Sequence, residues 1–285
     1  MRSNLESAQV TLVNCDTPFE ILRGTYVRQR FAPHMHDTYA LGVLERGAAK
    51  CRYRGIDVTH RAGDLVMLEP DEVHTGEPAC DEGWSYRMLY VPRELMARYG
   101  TLDGSQPHFA QSGYADTDLS SQVSRLHEFL CTESDPLRQG SALAQVLHAT
   151  CERYAQQVAP VHVRVPSAAL ALVRDYLEVH YARAVSLAEL AALARVSPFH
   201  LIRQFRRRYG LPPYMFLELI RVQRARTMLQ QGARVSDVAF ATGFSDQSHL
   251  TRRFKRVVGV PPGRYAKSYW PDALPPRAAL RERIA

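Results

Sequence analysis

The stretch "HLIRQFRRRYGLPP", residues 200–213, returns 49 residues later as "HLTRRFKRVVGVPP", residues 249–262. Each copy is basic, has no internal helix breaker, and closes on a glycine, one apolar residue and two prolines. That pattern predicts a helix with a left-handed stop, followed by a chain that cannot continue it. A shorter amphipathic stretch precedes each copy: "SLAELAALARVS" (186–197) and "RVSDVAFATGFS" (234–245). Leu187, Leu190, Ala191 and Val196 match Val235, Val238, Ala239 and Phe244 at an offset of 48. Leu201, Arg203, Phe205 and Gly210 match Leu250, Arg252, Phe254 and Gly259 at 49, so the second copy gains one residue at its turn. Ser186, with Glu189 three residues on, has the spacing of a capping box, and Ser236 is the expected cap of the later short helix. Helix, tight turn and charged helix, written twice, is the helix-turn-helix plan.

Between the copies lies "PPYMFLELIRVQRARTMLQQG", 212–232, with proline at its start, glycine at its end and no breaker inside. About 20 helical residues span about 30 Å, close to the roughly 34 Å between successive major-groove faces on one side of B-DNA. The expectation is a rod that sets two reading helices on neighbouring turns of one duplex face.

Charge agrees with this. The chain of 285 residues carries +7 overall, but residues 1–166 balance at −5 and residues 167–267 at +11. An acidic half joined to a strongly basic one points to a polyanion partner for the basic half. On the reading helices Leu201, Phe205, Leu250 and Phe254 are assigned to the core. Base edges are then left to Phe199, Ile202 and Arg203 in the first copy, and to Gln247, Ser248, Thr251 and Arg252 in the second. A bidentate guanidinium on guanine is the commonest specific contact, Gln247 has the donor–acceptor pair for adenine, and Phe199 and Ile202 have only apolar contact to offer. Arg206, Arg207, Lys255 and Arg256 are assigned to phosphates, which position without specifying. His200 and His249 are expected to cap or pack.

Residues 167–267 resemble the DNA-binding domain of the AraC/XylS family of transcription regulators over essentially its whole length. The carrying stretch is "VAFATGFSDQSHLTRRFKRVVGVPPGRYAK" (238–267), the first unit being similar but looser. The resemblance implies base reading at the positions above, double-stranded promoter DNA and RNA polymerase as partners, and activation as the usual outcome.

The acidic half reads differently. Residues 20–92 are short alternating runs broken by turn signals: "TYALGVLERG" and "AAKCRYRG" around Gly47, "IDVTHRAGD" turning at Gly63, "LVMLEP" stopping at Pro70, and "WSYRMLYVP" at Pro92. This predicts antiparallel strands in a small barrel or jelly roll. From about residue 116 the period becomes helical. Leu119, Val123, Leu126 and Leu130 form one stripe, and Leu143, Val146, Leu147, Cys151 and Tyr154 a second, with a break near Asp135-Pro136.

The stretch 31–92 resembles the cupin-type effector domain found ahead of the DNA-binding domain in many AraC/XylS members. In "PHMHDTY" and "GDLVMLEPDEVH", His34, His36 and His74 have the spacing with which cupin barrels present imidazoles to a metal. The carboxylate expected after the second histidine is missing, for Ala40 and Leu41 stand there. The expectation is therefore an organic effector and no metal cofactor. The effector would be held by Trp84, Tyr86 and Met88 on one strand face, with His34, His36, Glu72 and His74 as polar fixing groups. By resemblance the two helices after the barrel form a homodimer interface; a hairpin covering the barrel is the competing reading.

The expected class is α+β multidomain: an antiparallel cupin-like β-barrel with a helical hairpin, then an all-α domain with two helix-turn-helix units joined by a long helix. The expected segments are 1–110 (effector barrel), 111–160 (hairpin), 161–166 (linker), 167–267 (DNA-binding domain) and 268–285 (tail). Five cysteines with no C-x-x-C pair exclude a disulfide framework or zinc ribbon. The absence of a leader-like start or a long apolar run reads as cytoplasmic, with no membrane partner. No catalytic residue is assigned; a metal-dependent cupin enzyme fused to a DNA-targeting domain is the alternative.

Overall fold

The computed structural model describes residues 6–15, 17–101, 103–156 and 168–270. Residue contacts divide the chain into residues 1–159 and 160–285. The expected linker 161–166, and the tail beyond Trp270, lie outside the described residues.

In the first unit, strands β1 (Ser7–Val13), β2 (Phe19–Tyr26), β3 (Phe31–His34), β4 (Tyr39–Tyr53), β5 (Ile56–Arg61), β6 (Leu65–Leu68), β7 (His74–Pro78) and β8 (Trp84–Val91) precede helix α1 (Arg93–Gly100). Two-residue strands β9 (His108–Phe109) and β10 (Gly113–Tyr114) follow, then α2 (Thr117–Thr132), α3 (Pro136–Tyr154) and β11 (Ala155–Gln156). All pairings are antiparallel. One path runs β1-β2-β8-β4-β6-β10, while β3, β7 and β5 gather on the later half of β4.

That long strand is where the structure departs from the sequence reading, which places two strands around a turn at Gly47. Residues 39–53 form one strand that bends at Gly47 and passes from β8 and β6 to β5 and β7. The bend needs glycine twice over. Its φ is +71°, and an added Cβ would lie 1.9 Å from the Gly83 carbonyl oxygen. A register shift between Leu44 and Arg46 accompanies the bend, the usual device for turning a sheet corner. Strand β1 and helix α1 are also additions that the sequence reading does not contain.

Alternation along the strands gives the β1-β2-β8-β4-β6 layer two buried faces. Leu41, Val43, Leu89, Val91 and Ile21 join Leu119, Val123, Leu126 and Leu130 of α2 and Leu143 and Leu147 of α3 in one core. The hairpin's apolar stripes are thus buried within this unit, α2 against the sheet and α3 against α1 and α2. Asp116 caps α2 by accepting from the Leu119 N–H (2.9 Å), and Asp135 caps α3 through Arg138 N–H (2.9 Å). Buried Arg87 on β8 ties strand to helix, reaching Glu45 on β4 at 2.6 Å and Glu128 on α2 at 2.7 Å. The opposite face carries Trp84, Tyr86, Met88 and Tyr90.

The second unit is helical: α4 (Ala168–Val179), α5 (Leu187–Ala194), α6 (Pro198–Tyr209), α7 (Pro213–Gln230), α8 (Val235–Ala241), α9 (Gln247–Val258) and α10 (Pro262–Tyr269). Helix α7 is continuous, and at 1.5 Å per residue its 18 residues span about 27 Å. Its buried residues (Phe216, Leu217, Leu219, Ile220, Val222, Ala225 and Leu229) fall all round the helix. It packs against α4, α6, α8, α9 and α10. No described helix is long and apolar enough to cross a membrane, and all five cysteines are free.

Candidate nucleic-acid interface and effector chamber

Helices α6 and α9 start on side-chain caps. Ser197 accepts from the His200 N–H (3.3 Å), and Asp246 from the His249 N–H (2.7 Å). Both helices end on a left-handed glycine, Gly210 and Gly259. His249 also meets Ser245 at 3.2 Å and packs edge-on against Phe244. The His249 imidazole thus packs at the start of α9, while His200 is shown there only through its backbone N–H.

Of the two caps expected for the preceding helices, Ser186 is found in place and Ser236 is not. Ser186 caps α5 through Glu189 N–H (3.1 Å), but the Glu189 carboxylate turns to Arg183 and Tyr176 instead of closing the box. Those two partners hold its pKa down at about 2. Ser236 lies inside the first turn of α8, which starts from Arg234 without a side-chain cap. The turn between α5 and α6 has three residues and that between α8 and α9 five. Besides the inserted residue, α8 stops one position early. There Gly243 (φ +79°) crosses the Ala182 carbonyl so closely that a Cβ would sit 2.7 Å from its oxygen.

Leu201, Phe205, Leu250 and Phe254 are fully buried, as assigned. Phe205 meets Phe216 of α7 at 5.4 Å, and Phe254 meets Tyr265 of α10 at 5.3 Å. Burying those residues turns the other face of each helix to solvent. On α6, Phe199 (76% exposed), Arg203, Arg206 and Arg207 are exposed and Ile202 half-buried; these five line one surface depression. On α9, Gln247, Ser248, Arg252, Lys255 and Arg256 are exposed and Thr251 half-buried. Among the described residues Arg203, Arg206, Arg207, Arg252 and Arg256 make no salt bridge. By contrast Arg253 is spent on Glu218 of α7 at 3.2 Å, and Arg208 lies over the Tyr209 ring. Exposed guanidiniums that make no salt bridge are suited to phosphate oxygens or guanine edges.

In the first unit a chain of rings connects the sequence-predicted effector residues. Trp84 and Tyr86 lie 4.9 Å apart, and Tyr26 lies 5.9 Å from Tyr86 and 5.3 Å from Phe31. Phe31 lies 5.9 Å from His34, and the centroids of His34, His36 and His74 lie 4.3–5.0 Å apart, with Tyr90 5.0 Å beyond His36. Tyr26, Phe31 and Tyr90 are missing from the sequence list. The alternation that selected Trp84, Tyr86 and Met88 also selects Tyr90, and Tyr26 pairs directly with Trp84 across β2 and β8. The buried Trp84 Nε1–H has no hydrogen-bond partner among the described residues. Burial pushes His74 down to about 4, so it is neutral at pH 7. Glu72 directs its carboxylate to Arg54 (2.9 Å) and serves the cluster through its carbonyl, which accepts from His74 Nδ1 (2.9 Å). The ligand atoms of His34, His36 and His74 all lie within 4.8 Å of one another.

Comparison with known proteins covers both units. Residues 17–150 match the AraC-like ligand binding domain, and residues 190–268 a helix-turn-helix domain. An uncharacterized HTH-type transcriptional regulator of Bacillus subtilis, YbfI, is 32% identical over 234 residues, covering 81% of this chain and 85% of its own. The HTH-type transcriptional activator RhaS of Escherichia coli is 26% identical over 251 residues, covering 79% and 84%. Among solved structures, wild-type ToxT of Vibrio cholerae bound to an unsaturated fatty acid has the same fold. Its TM-score is 0.54 at 16% identity, covering 96% of this chain and 99% of that one.

Proposed function

The chain belongs to the AraC family of transcription regulators, and from that premise we propose a ligand-controlled, sequence-specific activator that grips promoter DNA with α6 and α9. Phe199, Ile202, Arg203, Gln247, Ser248, Thr251 and Arg252 read base edges; Arg206, Arg207, Lys255 and Arg256 hold phosphates. The observation that carries the reading is the pair of exposed basic helix faces on units joined by one continuous helix, with Arg203, Arg206, Arg207, Arg252 and Arg256 outside any salt bridge among the described residues. Activation is supported by the likeness to RhaS, named an activator.

The effector is a small organic molecule held against Trp84, Tyr86 and Met88, where the Trp84 indole N–H offers a donor and burial supplies the affinity. The fatty acid bound in ToxT supports an occupant with an apolar body. Effector binding shifts the populations of arrangements that present the DNA-binding unit, which requires tighter binding to one of them. Two copies pair through the α2–α3 hairpin, which raises the effective concentration of the second DNA contact. RNA polymerase is the downstream partner and the cytoplasm the compartment. The reading assigns no catalytic residue.

The test is DNA selection with the full chain, then salt-controlled affinity for the selected site against random DNA, with and without ligands found by thermal shift. A specific site is expected, with affinity or spacing preference altered by a stabilising ligand. No preference over random DNA would sink the reading; a specific site indifferent to every stabilising ligand would remove effector control.

A further inference from the structure

We propose that Arg195, in the turn between α5 and α6, is a DNA-phosphate contact of the first helix-turn-helix unit, lying outside both reading helices. The proposal rests on the assignment of α6 to the DNA face.

Among the described residues, three that are not glycine take a positive φ: Arg54 at 51°, Asp71 at 64° and Arg195 at 54°. In that region the Cβ of an L-residue crowds its own backbone, so such a residue persists only where something offsets the strain. For two of the three the offset lies inside the chain. Arg54 turns the β4–β5 hairpin and places its guanidinium on Glu69 (2.8 Å), Glu72 (2.9 Å) and the Phe109 carbonyl (3.0 Å). Asp71 binds Arg93 at 2.6 Å, and aspartate is one of the few residues that visit this region readily. Arg195 has neither advantage. Its backbone N–H closes α5 on the carbonyls of Ala191 and Ala192. Its side chain is exposed and makes no salt bridge or hydrogen bond among the described residues.

The internal repeat supplies a control. At the offset of 48, Arg195 matches Gly243, whose φ is +79°. Glycine takes that conformation without strain; the first unit holds the same conformation with arginine. The turn itself gives the charge no partner, since residues 194–199 read Ala-Arg-Val-Ser-Pro-Phe, with no acid among them. The partner that offsets the strain is therefore external, and an exposed guanidinium is best matched by an anionic oxygen.

Position selects the anion. In this motif the first helix crosses the DNA backbone while the start of the second enters the groove. The turn that joins them stands at the groove edge, beside a row of phosphates. Arg195 lies two residues before the Ser197 cap and four before Phe199, where the proposed reading face begins. A phosphate contact there fixes how α6 is seated and carries no sequence information of its own. The second unit has no equivalent, because a Cβ at Gly243 would lie 2.7 Å from the Ala182 carbonyl oxygen.

The test is fluorescence anisotropy of the full-length protein on a random-sequence duplex and on the selected site, over a range of salt. Arg195→Asn keeps a residue that tolerates the left-handed backbone and removes the charge. It should weaken binding to both duplexes alike, roughly fivefold to tenfold at about 0.1 M salt, and lower the slope of log K against log salt by roughly 0.9. Arg195→Lys should keep the slope. Arg195→Gly should bind like Arg195→Asn without lowering the unfolding midpoint, because glycine relieves the strain. Arg125→Asn removes the same charge from an exposed position on α2 and should leave the slope unchanged. An unaltered slope for Arg195→Asn, or an equal change for Arg125→Asn, overturns the contact. A loss confined to the selected site overturns the phosphate role, and a lower midpoint for Arg195→Gly shows that the arginine serves the fold instead. If Arg206→Ala also keeps its slope, the assignment of α6 fails as well; if only Arg195→Asn keeps it, this contact alone fails.

Discussion

The two helix-turn-helix units share a scaffold and differ in what they present. Each reading helix buries a leucine and a phenylalanine completely (Leu201 and Phe205, Leu250 and Phe254) and stops on a left-handed glycine. Each places an exposed arginine at the matching position, Arg203 or Arg252. Around that arginine the first helix offers Phe199 and Ile202, the second Gln247, Ser248 and Thr251. Apolar side chains discriminate only through thymine methyls and shape, whereas amides and hydroxyls pair with base edges. Burial holds the scaffold constant; the exposed positions are released from it and carry the difference. On the proposed reading the second unit specifies, and the first holds and senses shape.

The largest expected effect tests the shared scaffold. Phe205→Ala and Phe254→Ala should each cost about 3–5 kcal/mol, read by chemical denaturation; a much cheaper loss at one of them would show that the two cores are not equivalent. Next, Arg252→Ala should remove about 1–3 kcal/mol of specific over non-specific binding, and Arg203→Ala less. An unchanged specificity ratio for Arg252→Ala in a salt-controlled titration takes it off the list of base readers, and a larger loss at Arg203 reverses the assignment of roles. Arg206→Ala and Arg207→Ala should weaken all sequences alike and lower the slope of log K against log salt by roughly 0.9 each. A sequence-dependent loss at either position would promote it to base reading.

The smallest effect distinguishes the caps. Asp246 caps α9 with a carboxylate held below its usual range by the His249 N–H and then by Ser245, whereas Ser197 caps α6 with a hydroxyl. A depressed carboxylate contributes stability above its unfolded value near 3.9, and that contribution disappears as pH falls through the folded value. Amide exchange at the start of α9 should therefore quicken in acid before that at α6, and Asp246→Ser should abolish the difference.

Much of this was legible in the sequence because repetition is a strong signal. The offsets of 48 and 49, the glycine stops and the four buried residues follow from helical periodicity alone. That Glu189 prefers Arg183 to the box, or that α8 begins on Arg234, is not written in local sequence, because those choices depend on side chains brought near by tertiary packing. In the first unit, alternation found Trp84, Tyr86 and Met88, but Tyr26 and Phe31 join them only through strand pairing. The turn expected at Gly47 is a bend. Glycine signals a positive φ, and only the close approach of Gly83 says that the chain keeps going.

The solvent-poor setting of α7 has a mechanical outcome for the DNA. With buried side chains all round it and Tyr214, Arg224 and Thr227 its exposed residues, it is a strut of about 27 Å, shorter than the roughly 34 Å repeat of the major groove. On the proposed reading, two heads held closer than that repeat are best served by a duplex that curves toward them. Bending of 40–90° costs on the order of 1–6 kcal/mol and depends on the base steps being flexed. Base pairs between the two half-sites, touched by no side chain, are therefore expected to matter for affinity, with flexible pyrimidine–purine steps favoured there.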